Sequence, residues 1–197
     1  MSSLRYVVPL VVAATAAGAL WVRTTPQVRP AMNDPAALAT YGDLELESAE
    51  GPLRLSDFRG EGVVVYFGYT SCPDICPTTL QTMGAAFDLL EPEEQGQMTL
   101  LFVSVDPERD DPIRLRDYVR FFHERFHGGS ASPDAVARMA ADWGVQFRKV
   151  DSPGSAMGYT VDHSTEAFLV DKRGRVVRRI PHGTPALEVA ELLRSVL

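Results

Sequence analysis

Two cysteines, Cys72 and Cys76, are the residues whose type and spacing point most directly to chemistry. They are the only cysteines in the 197-residue chain, and three residues separate them. They lie between a predicted buried strand and a predicted helix start, where backbone N–H groups and the helix dipole favour negative charge. A thiol in that place is expected to ionise readily, which makes it nucleophilic and able to bind a metal. Two cysteines are too few to staple a fold, so a chemical role is favoured over a structural one.

The spacing of the pair separates its possible uses. Residues four apart on a helix hold their Cβ atoms about 5–6 Å apart, whereas a disulfide requires about 3.5–4.5 Å. A Cys72–Cys76 disulfide therefore forms only if Cys72 stays in the loop and folds back, while a metal ion tolerates the wider gap. A purely structural disulfide over so short a loop would stabilise little, and a structural zinc site requires four protein ligands. A catalytic dithiol stays open, because redox motifs occupy the same place.

His163 is the candidate third ligand. It stands just before a predicted strand, in a loop expected to pass over the start of the helix that follows the cysteines. Two thiolates and one imidazole form a ligand set that suits Cu(I) and adapts to Cu(II). Asp162 is a candidate for orienting the imidazole, because a carboxylate often stands behind a ligating histidine. Asp74, within the cysteine motif, is a second carboxylate candidate behind the ligands.

The remaining polar motifs are interpreted without a functional role. His123 and His127, four residues apart, are expected to be surface residues at a helix end, and His182 lies in a predicted turn. The charged segment 106–111 follows a predicted strand, and its composition favours a solvated loop with a helix cap. The formal net charge of −7 and the lack of a strongly basic segment argue against a nucleic-acid partner.

Hydrophobic periodicity predicts the elements that must position these residues. An opening hairpin is expected around 50–52, buried strands at 63–67 and 99–105, and a helix with apolar positions from Leu80 to Leu90. Two further helices begin at the Asp-Pro and Ser-Pro pairs of 111–112 and 132–133, and the apolar face of the first extends to Phe126. A short strand at 145–150 and a loop at 151–163 follow. A hairpin at 167–170 and 176–180 and a helix from 184–185 complete the domain.

This order of elements predicts an α/β fold. Two buried strands joined through a helix form a parallel unit, and the terminal antiparallel hairpin makes the sheet mixed. We therefore expect residues 41–197 to form a thioredoxin-like domain with an N-terminal β-hairpin extension.

The first forty residues predict attachment to a membrane. An uninterrupted run of apolar or small residues, Tyr6 to Val22, is flanked by arginines and is close to the lower length limit for a spanning helix. Residues 1–23 are therefore expected to form an N-terminal transmembrane helix with its N-terminus inside. A cleaved signal peptide is the competing interpretation, because Ala17-Gly18-Ala19 resembles a cleavage site. Residues 24–40, rich in Pro, Ala and Thr, are expected to be a tether.

Three blocks of the sequence resemble the Sco/SenC family of copper proteins. The first runs from Tyr66 to Pro77 and includes both cysteines, the second runs from Val105 to Asp110, and the third is Asp162-His163-Ser164. The blocks stand in the order found in the family, and the similarity extends from about residue 44 to the C-terminus.

The resemblance implies one copper ion, Cu(I) or Cu(II), bound through Cys72, Cys76 and His163 on a thioredoxin-like domain. It implies a metallochaperone, not an enzyme with turnover. The copper would be delivered to the dinuclear copper centre of cytochrome c oxidase subunit II, or that centre's cysteines would be reduced. Other periplasmic copper carriers are further possible partners. It also implies that the domain lies on the periplasmic face of a bacterial inner membrane, or on the intermembrane-space face in mitochondria, and we expect the bacterial location.

Alternatives of other classes stay open. In a thiol–disulfide oxidoreductase, Cys72 would attack a partner's disulfide and His163 would be dispensable. A peroxiredoxin-like peroxidase usually has Thr or Pro three residues before the reactive cysteine, where this chain has Tyr69, so the sequence disfavours it. A redox-dependent signalling role is also compatible, because copper binding and the Cys72–Cys76 disulfide exclude each other.

Overall fold

The computed structural model describes residues 41–155 and 157–197, and within them it contains nine strands and five α-helices. The strands are β1 (Glu45–Ser48), β2 (Gly51–Arg54), β3 (Gly62–Gly68), β4 (Met98–Ser104), β5 (Phe126–Gly129), β6 (Phe147–Asp151), β7 (Tyr159–His163), β8 (Ala167–Val170) and β9 (Val176–Ile180). The helices are α1 (Ile75–Asp88), α2 (Pro92–Gln95), α3 (Pro112–Arg120), α4 (Pro133–Asp142) and α5 (Ala186–Arg194). A 3₁₀ turn, Leu55–Phe58, follows β2.

A five-stranded mixed sheet in the order β5-β4-β3-β8-β9 forms the centre of the fold. Strand β3 pairs parallel with β4 and antiparallel with β8, and every residue of β3 and β4 is buried. Strands covered on both faces are expected to be continuous apolar runs, which is the pattern that the sequence has there. The predicted buried strands, the opening hairpin β1–β2 and the terminal hairpin β8–β9 are thus confirmed.

Helix starts follow the capping signals of the sequence. The Asp111 carboxylate accepts a hydrogen bond from the Arg114 backbone N–H at 2.9 Å, and Pro112 takes the first position of α3. Ser132 caps α4 in the same way, through the N–H of Ala135 at 3.4 Å. Both predicted helix starts are therefore confirmed.

The predicted helical face that extends to Phe126 is wrong. Helix α3 ends at Arg120, and Phe126 begins β5, where it pairs with Leu100 of β4. The spacing of the aromatic residues matches a helix, but pairing with the edge of the sheet determines the structure. Gly128 allows the close approach of β5 to α3, since a Cβ there would lie 3.0 Å from the Leu115 carbonyl oxygen.

The predicted loop 151–163 is also wrong in its second half. Residues Tyr159–His163 form β7, which pairs antiparallel with β6 so that His163 lies opposite Phe147. The glycines and serines just before this segment conceal a run, Tyr-Thr-Val, that favours strand structure. His163 is therefore the last residue of a strand, and a hairpin holds it.

The predicted membrane anchor, residues 1–23, and the tether, residues 24–40, lie outside the described residues. Within the part of the chain that the structure describes, none of the helices is both long and apolar enough to cross a bilayer.

Candidate metal centre

The two cysteines lie at the carboxyl end of β3, where the chain turns into α1. Cys72 is in the connecting loop and half-buried, and its N–H donates to the Tyr69 carbonyl oxygen at 3.3 Å. Cys76 is in the first turn of α1 and fully buried. Its backbone N–H donates to the Cys72 sulfur at 3.4 Å, so the sulfur sits at the positive end of the helix. Neither cysteine is in a disulfide bond.

The surroundings shift the pKa values of the two thiols in opposite directions. Hydrogen bonds lower the pKa of Cys72 to about 3, the largest effect coming from the Cys76 thiol, with further bonds from His163 and from the backbone N–H groups of Cys76 and Asp74. Donation to the Cys72 sulfur, burial and the nearby negative charge raise the pKa of Cys76 well above its ordinary range. The metal-free pair is therefore a thiolate at Cys72 with a hydrogen-bonded thiol at Cys76.

His163 is brought to the pair from the end of β7. Its Nε2 lies 3.3 Å from the Cys76 sulfur, and its Nδ1 lies 2.7 Å from the Ser164 carbonyl oxygen. Because a carbonyl oxygen can only accept, Nδ1 carries a proton, which directs Nε2 towards the sulfurs. An Nε2 that carries a proton donates to the Cys72 sulfur, and an Nε2 without one has a lone pair for a metal ion. The rings of Tyr66 and Tyr69 lie edge-on to the imidazole, with centroids 6.3 and 5.9 Å away.

The three predicted ligands thus meet in one place. The sulfurs of Cys72 and Cys76 and a ring nitrogen of His163 all lie within 4.8 Å of one another. An open groove of about 350 Å³, whose walls include Pro73, Ile75 and Val161, gives access to Cys72 and His163. Two soft thiolate donors and one imidazole, with access from one side, match the ligand preferences of a copper ion.

The two carboxylates predicted to stand behind the ligands have other partners. The Asp162 carboxylate pairs with Arg148 at 2.9 Å on the solvent side of the hairpin, because neighbouring side chains of a strand point to opposite faces. The Ser164 carbonyl oxygen takes the orienting position behind the imidazole instead. Asp74 is exposed at the start of α1, and it acts on Cys72 through its backbone N–H.

The segment 106–111 was expected to be solvated, but it contains two buried carboxylates. Asp106 is fully buried and Asp110 is 2 % exposed. Asp110 accepts hydrogen bonds from the N–H and hydroxyl of Thr70, at 3.0 and 2.6 Å, and from the Ser104 hydroxyl at 2.6 Å. The charged composition of the segment gives no indication of this burial. The sequence does indicate that the segment lies near the site, because it follows β4 at the same end of the sheet at which the cysteines follow β3.

Asp106 contacts the β6–β7 hairpin, which carries His163. The Tyr159 hydroxyl donates to its carboxylate at 2.7 Å, and the Arg109 guanidinium pairs with it. That guanidinium also stacks on the Tyr159 ring, 3.7 Å from the centroid, and donates to the Tyr159 carbonyl oxygen. The hairpin that ends in His163 is therefore held at its first β7 residue.

The other histidines do not join the site, but the interpretation of two of them as surface residues is wrong. The His123 ring packs against Phe87 and Phe126, and His127 lies in β5. Burial lowers the pKa of both. His182 lies in a turn, as expected, and its Nδ1 is 2.8 Å from the hydroxyl of the buried Thr79.

Gly68 explains how the helix start can come so close to the sheet. A Cβ at this last residue of β3 would lie 2.8 Å from the Phe102 ring and 3.0 Å from the Cys76 sulfur. Only a residue without a side chain leaves room for the buried thiol. The glycine of the cysteine motif is thus part of the geometry of the site.

The central mixed sheet, the dithiol at the strand-to-helix turn and the histidine returned over it define a thioredoxin-like α/β protein with a soft-metal ligand set. The SCO1/SenC family model matches residues 32–197. The chain belongs to the SCO1/SenC family, which confirms the resemblance found in the sequence.

Individual relatives agree with this assignment. A SCO2-like protein of Rickettsia conorii is 32% identical over 155 residues, which cover 78% of this chain and 75% of the relative. The solution structure of apo Sco1 from Thermus thermophilus is 40% identical, with a TM-score of 0.72, over 81% of this chain and 92% of the other. The structure of Bradyrhizobium japonicum ScoI with copper bound is 30% identical, with a TM-score of 0.72, over 81% of this chain and 100% of the other.

Proposed function

We propose that this chain is a copper metallochaperone that binds one copper ion through Cys72, Cys76 and His163. The observation that carries the proposal is the convergence of the two sulfurs and the imidazole nitrogen within 4.8 Å, from two segments that are far apart in the sequence. A copper-bound relative with the same fold supports the choice of metal. Three protein ligands leave a position for an incoming thiolate, so the ion can pass to a partner by stepwise ligand exchange.

The recipient that we propose is the dinuclear copper centre of cytochrome c oxidase subunit II, as the family resemblance implies. Cys72 is half-buried beside the groove, whereas Cys76 is fully buried. An incoming cysteine would therefore displace Cys72 first, with Cys76 and His163 holding the ion until the second exchange.

The transfer is tested with the full-length chain loaded with one Cu(I) ion. It is mixed with the reduced, metal-free soluble domain of subunit II, and native mass spectrometry follows the metal on both proteins. We expect copper to move to the recipient faster than a Cu(I) chelator can intercept it. The His182→Ala variant is the control for loss of a histidine that is not a ligand, and it should transfer copper as the wild type does. Copper that stays on the donor, or that reaches the recipient only through the chelator, would refute delivery.

A thiol–disulfide oxidoreductase is the second candidate, and the lowered pKa of the half-buried Cys72 thiol favours it. The Cys72 thiolate would attack a disulfide of the partner, and Cys76 would then resolve the mixed disulfide. The partner leaves as a dithiol, and the Cys72–Cys76 disulfide remains. Under this function His163→Ala retains reductase activity towards oxidised subunit II. Loss of that activity together with copper binding would count against it.

We also propose that residues 1–23 anchor the protein, with residues 24–40 as a tether and the domain on the periplasmic face of a bacterial inner membrane. The apolar run between arginines supports this location. Membrane fractionation tests it. The protein should stay in the pellet after an alkaline wash and be digested by protease added to spheroplasts. Recovery as a free periplasmic protein would show that the segment is a cleaved signal peptide.

A further inference from the structure

Residues Val105 to Asp111, called here the brace loop, connect the two arms of the metal centre. The loop leaves β4 beside the end of β3, where the Val105 N–H donates to the Gly68 carbonyl oxygen at 2.8 Å. It closes on itself through the Asp110 N–H and the Asp106 carbonyl oxygen at 3.1 Å. Two of its carboxylates, Asp106 and Asp110, are buried, and a buried carboxylate is stable only when hydrogen bonds satisfy it. Each carboxylate finds its partners on a different arm.

Asp110 holds the arm that carries the cysteines. It binds both the backbone N–H and the hydroxyl of Thr70, which stands two residues before Cys72. The Ser104 hydroxyl donates to the same carboxylate, so the cysteine loop is fixed to the end of β4. The Arg114 guanidinium donates to the Thr70 hydroxyl at 2.6 Å and completes the cluster.

Asp106 holds the arm that carries the histidine. Tyr159 begins β7 and His163 ends it, and the Tyr159 hydroxyl donates to the Asp106 carboxylate at 2.7 Å. Arg109 lies against the same ring and donates to the carbonyl oxygens of Met157 and Tyr159, at 3.1 and 3.0 Å. The start of the hairpin is therefore bound to the brace loop through the Tyr159 hydroxyl and through the Arg109 guanidinium.

We propose that the brace loop sets the separation between the dithiol and the imidazole. Asp110 is the positioning residue for the cysteine loop, and Tyr159 is the positioning residue for the hairpin that ends in His163. The two arms respond separately, because each carboxylate serves one of them. The inference rests on the proposed copper function, and its test includes measurements on the metal-free protein that do not depend on that function.

The test compares Tyr159→Phe with Asp110→Asn in the full-length chain. Tyr159→Phe removes only the hydroxyl group that donates a hydrogen bond to the Asp106 carboxylate. Asp110→Asn replaces a carboxylate with an amide, which cannot accept all three hydrogen bonds. Thr70→Val is the second variant of the cysteine arm, in case Asp110→Asn fails to fold. Tyr41→Phe is the matched control, because the Tyr41 hydroxyl also partners a charged group, Arg179 at 3.0 Å, but contacts neither arm.

Hydrogen exchange on the metal-free protein gives the first readout. We expect Tyr159→Phe to speed amide exchange in 159–163 about tenfold or more and to leave 69–72 unchanged, as a lost hydrogen bond to a charged group would do locally. Asp110→Asn and Thr70→Val should show the reverse pattern. Tyr41→Phe should change neither segment.

Copper affinity and thiol reactivity give the second readout. Tyr159→Phe should weaken Cu(I) binding by up to about tenfold, the limit set by the loss of one hydrogen bond that holds the hairpin, with the alkylation rate of Cys72 unchanged. If Tyr159→Phe leaves the exchange of 159–163 unchanged, or if each variant loosens both arms equally, the proposal is overturned. Wild-type protein that binds no copper would instead refute the proposed function, and the exchange data would still decide the role of the brace loop.

Discussion

The alkylation of Cys72 by iodoacetamide should be almost independent of pH. An ordinary cysteine, with a pKa near 8.5, has about 0.3% thiolate at pH 6, and its rate constant rises about tenfold per pH unit below the pKa. The pKa of Cys72 is lowered to about 3, so the thiol is fully ionised throughout the range from pH 5 to pH 8. The expected change over that range is less than about twofold, against about 1,000-fold for an ordinary thiol. The rate constant should fall only as the pH drops towards the lowered pKa.

The assay is mass spectrometry of the reduced, metal-free protein after timed exposure to the reagent. A single label should appear on Cys72, because Cys76 is fully buried and its pKa is raised. The plateau should be level without being fast, because a thiolate of low pKa is intrinsically a weaker nucleophile.

The hydrogen bond from Cys76 is the largest cause of the lowered pKa of Cys72, so substitutions at Cys76 test this explanation. Cys76→Ala removes the donor, so the pKa of Cys72 should rise and the alkylation rate should become dependent on pH. Cys76→Ser keeps an O–H donor and should retain more of the plateau. A wild-type rate that climbs tenfold per unit from pH 5 to pH 8 would refute the reasoning. So would an equal response of the two variants.

Three further predictions concern packing, capping and metal protection. Gly68→Ala forces a Cβ against the Phe102 ring and the Cys76 sulfur, and should cost about 1–3 kcal/mol of unfolding free energy; urea titration checks this, and an unchanged midpoint would contradict it. Asp111→Ala removes the cap of α3 and should cost about 1 kcal/mol; the same titration measures it, and weakened copper binding would show that the effect is not local. Loading with one Cu(I) should block alkylation of Cys72, and removal of the metal by a chelator should restore it; labelling that ignores the metal would exclude this thiol as a ligand.

Local patterns in the sequence predict the ligands and most of the frame. The continuous apolar runs of β3 and β4 and the Asp-Pro and Ser-Pro helix starts depend on interactions within a few residues, so they can be read directly. The cysteine motif indicates its own place at the strand-to-helix turn. His163 is identified by its predicted position opposite the cysteine loop and by the family resemblance, because a single histidine has no distinctive local pattern.

What the sequence conceals depends on partners that are distant along the chain. Asp106 and Asp110 stand in a charged run that is typical of solvated loops, and their burial depends on Thr70 and Tyr159. Phe126 has the spacing of a helical face, but it lies in β5 because this segment pairs with the edge of β4. Asp162 also depends on a distant partner, because it pairs with Arg148 on the outer face of the hairpin and does not stand behind the imidazole.

The most direct test of the central claim is copper stoichiometry and affinity in the reduced full-length chain, comparing wild type with His163→Ala and with His182→Ala. Cu(I) binding is measured in competition with a chelator, and the Cu(II) form is followed by its thiolate absorption. The account predicts one copper per chain in wild type and in His182→Ala, and a clearly weakened or lost ion in His163→Ala. Wild-type protein that retains no copper, or a His163→Ala variant that binds it as tightly as wild type, would contradict the three-ligand site.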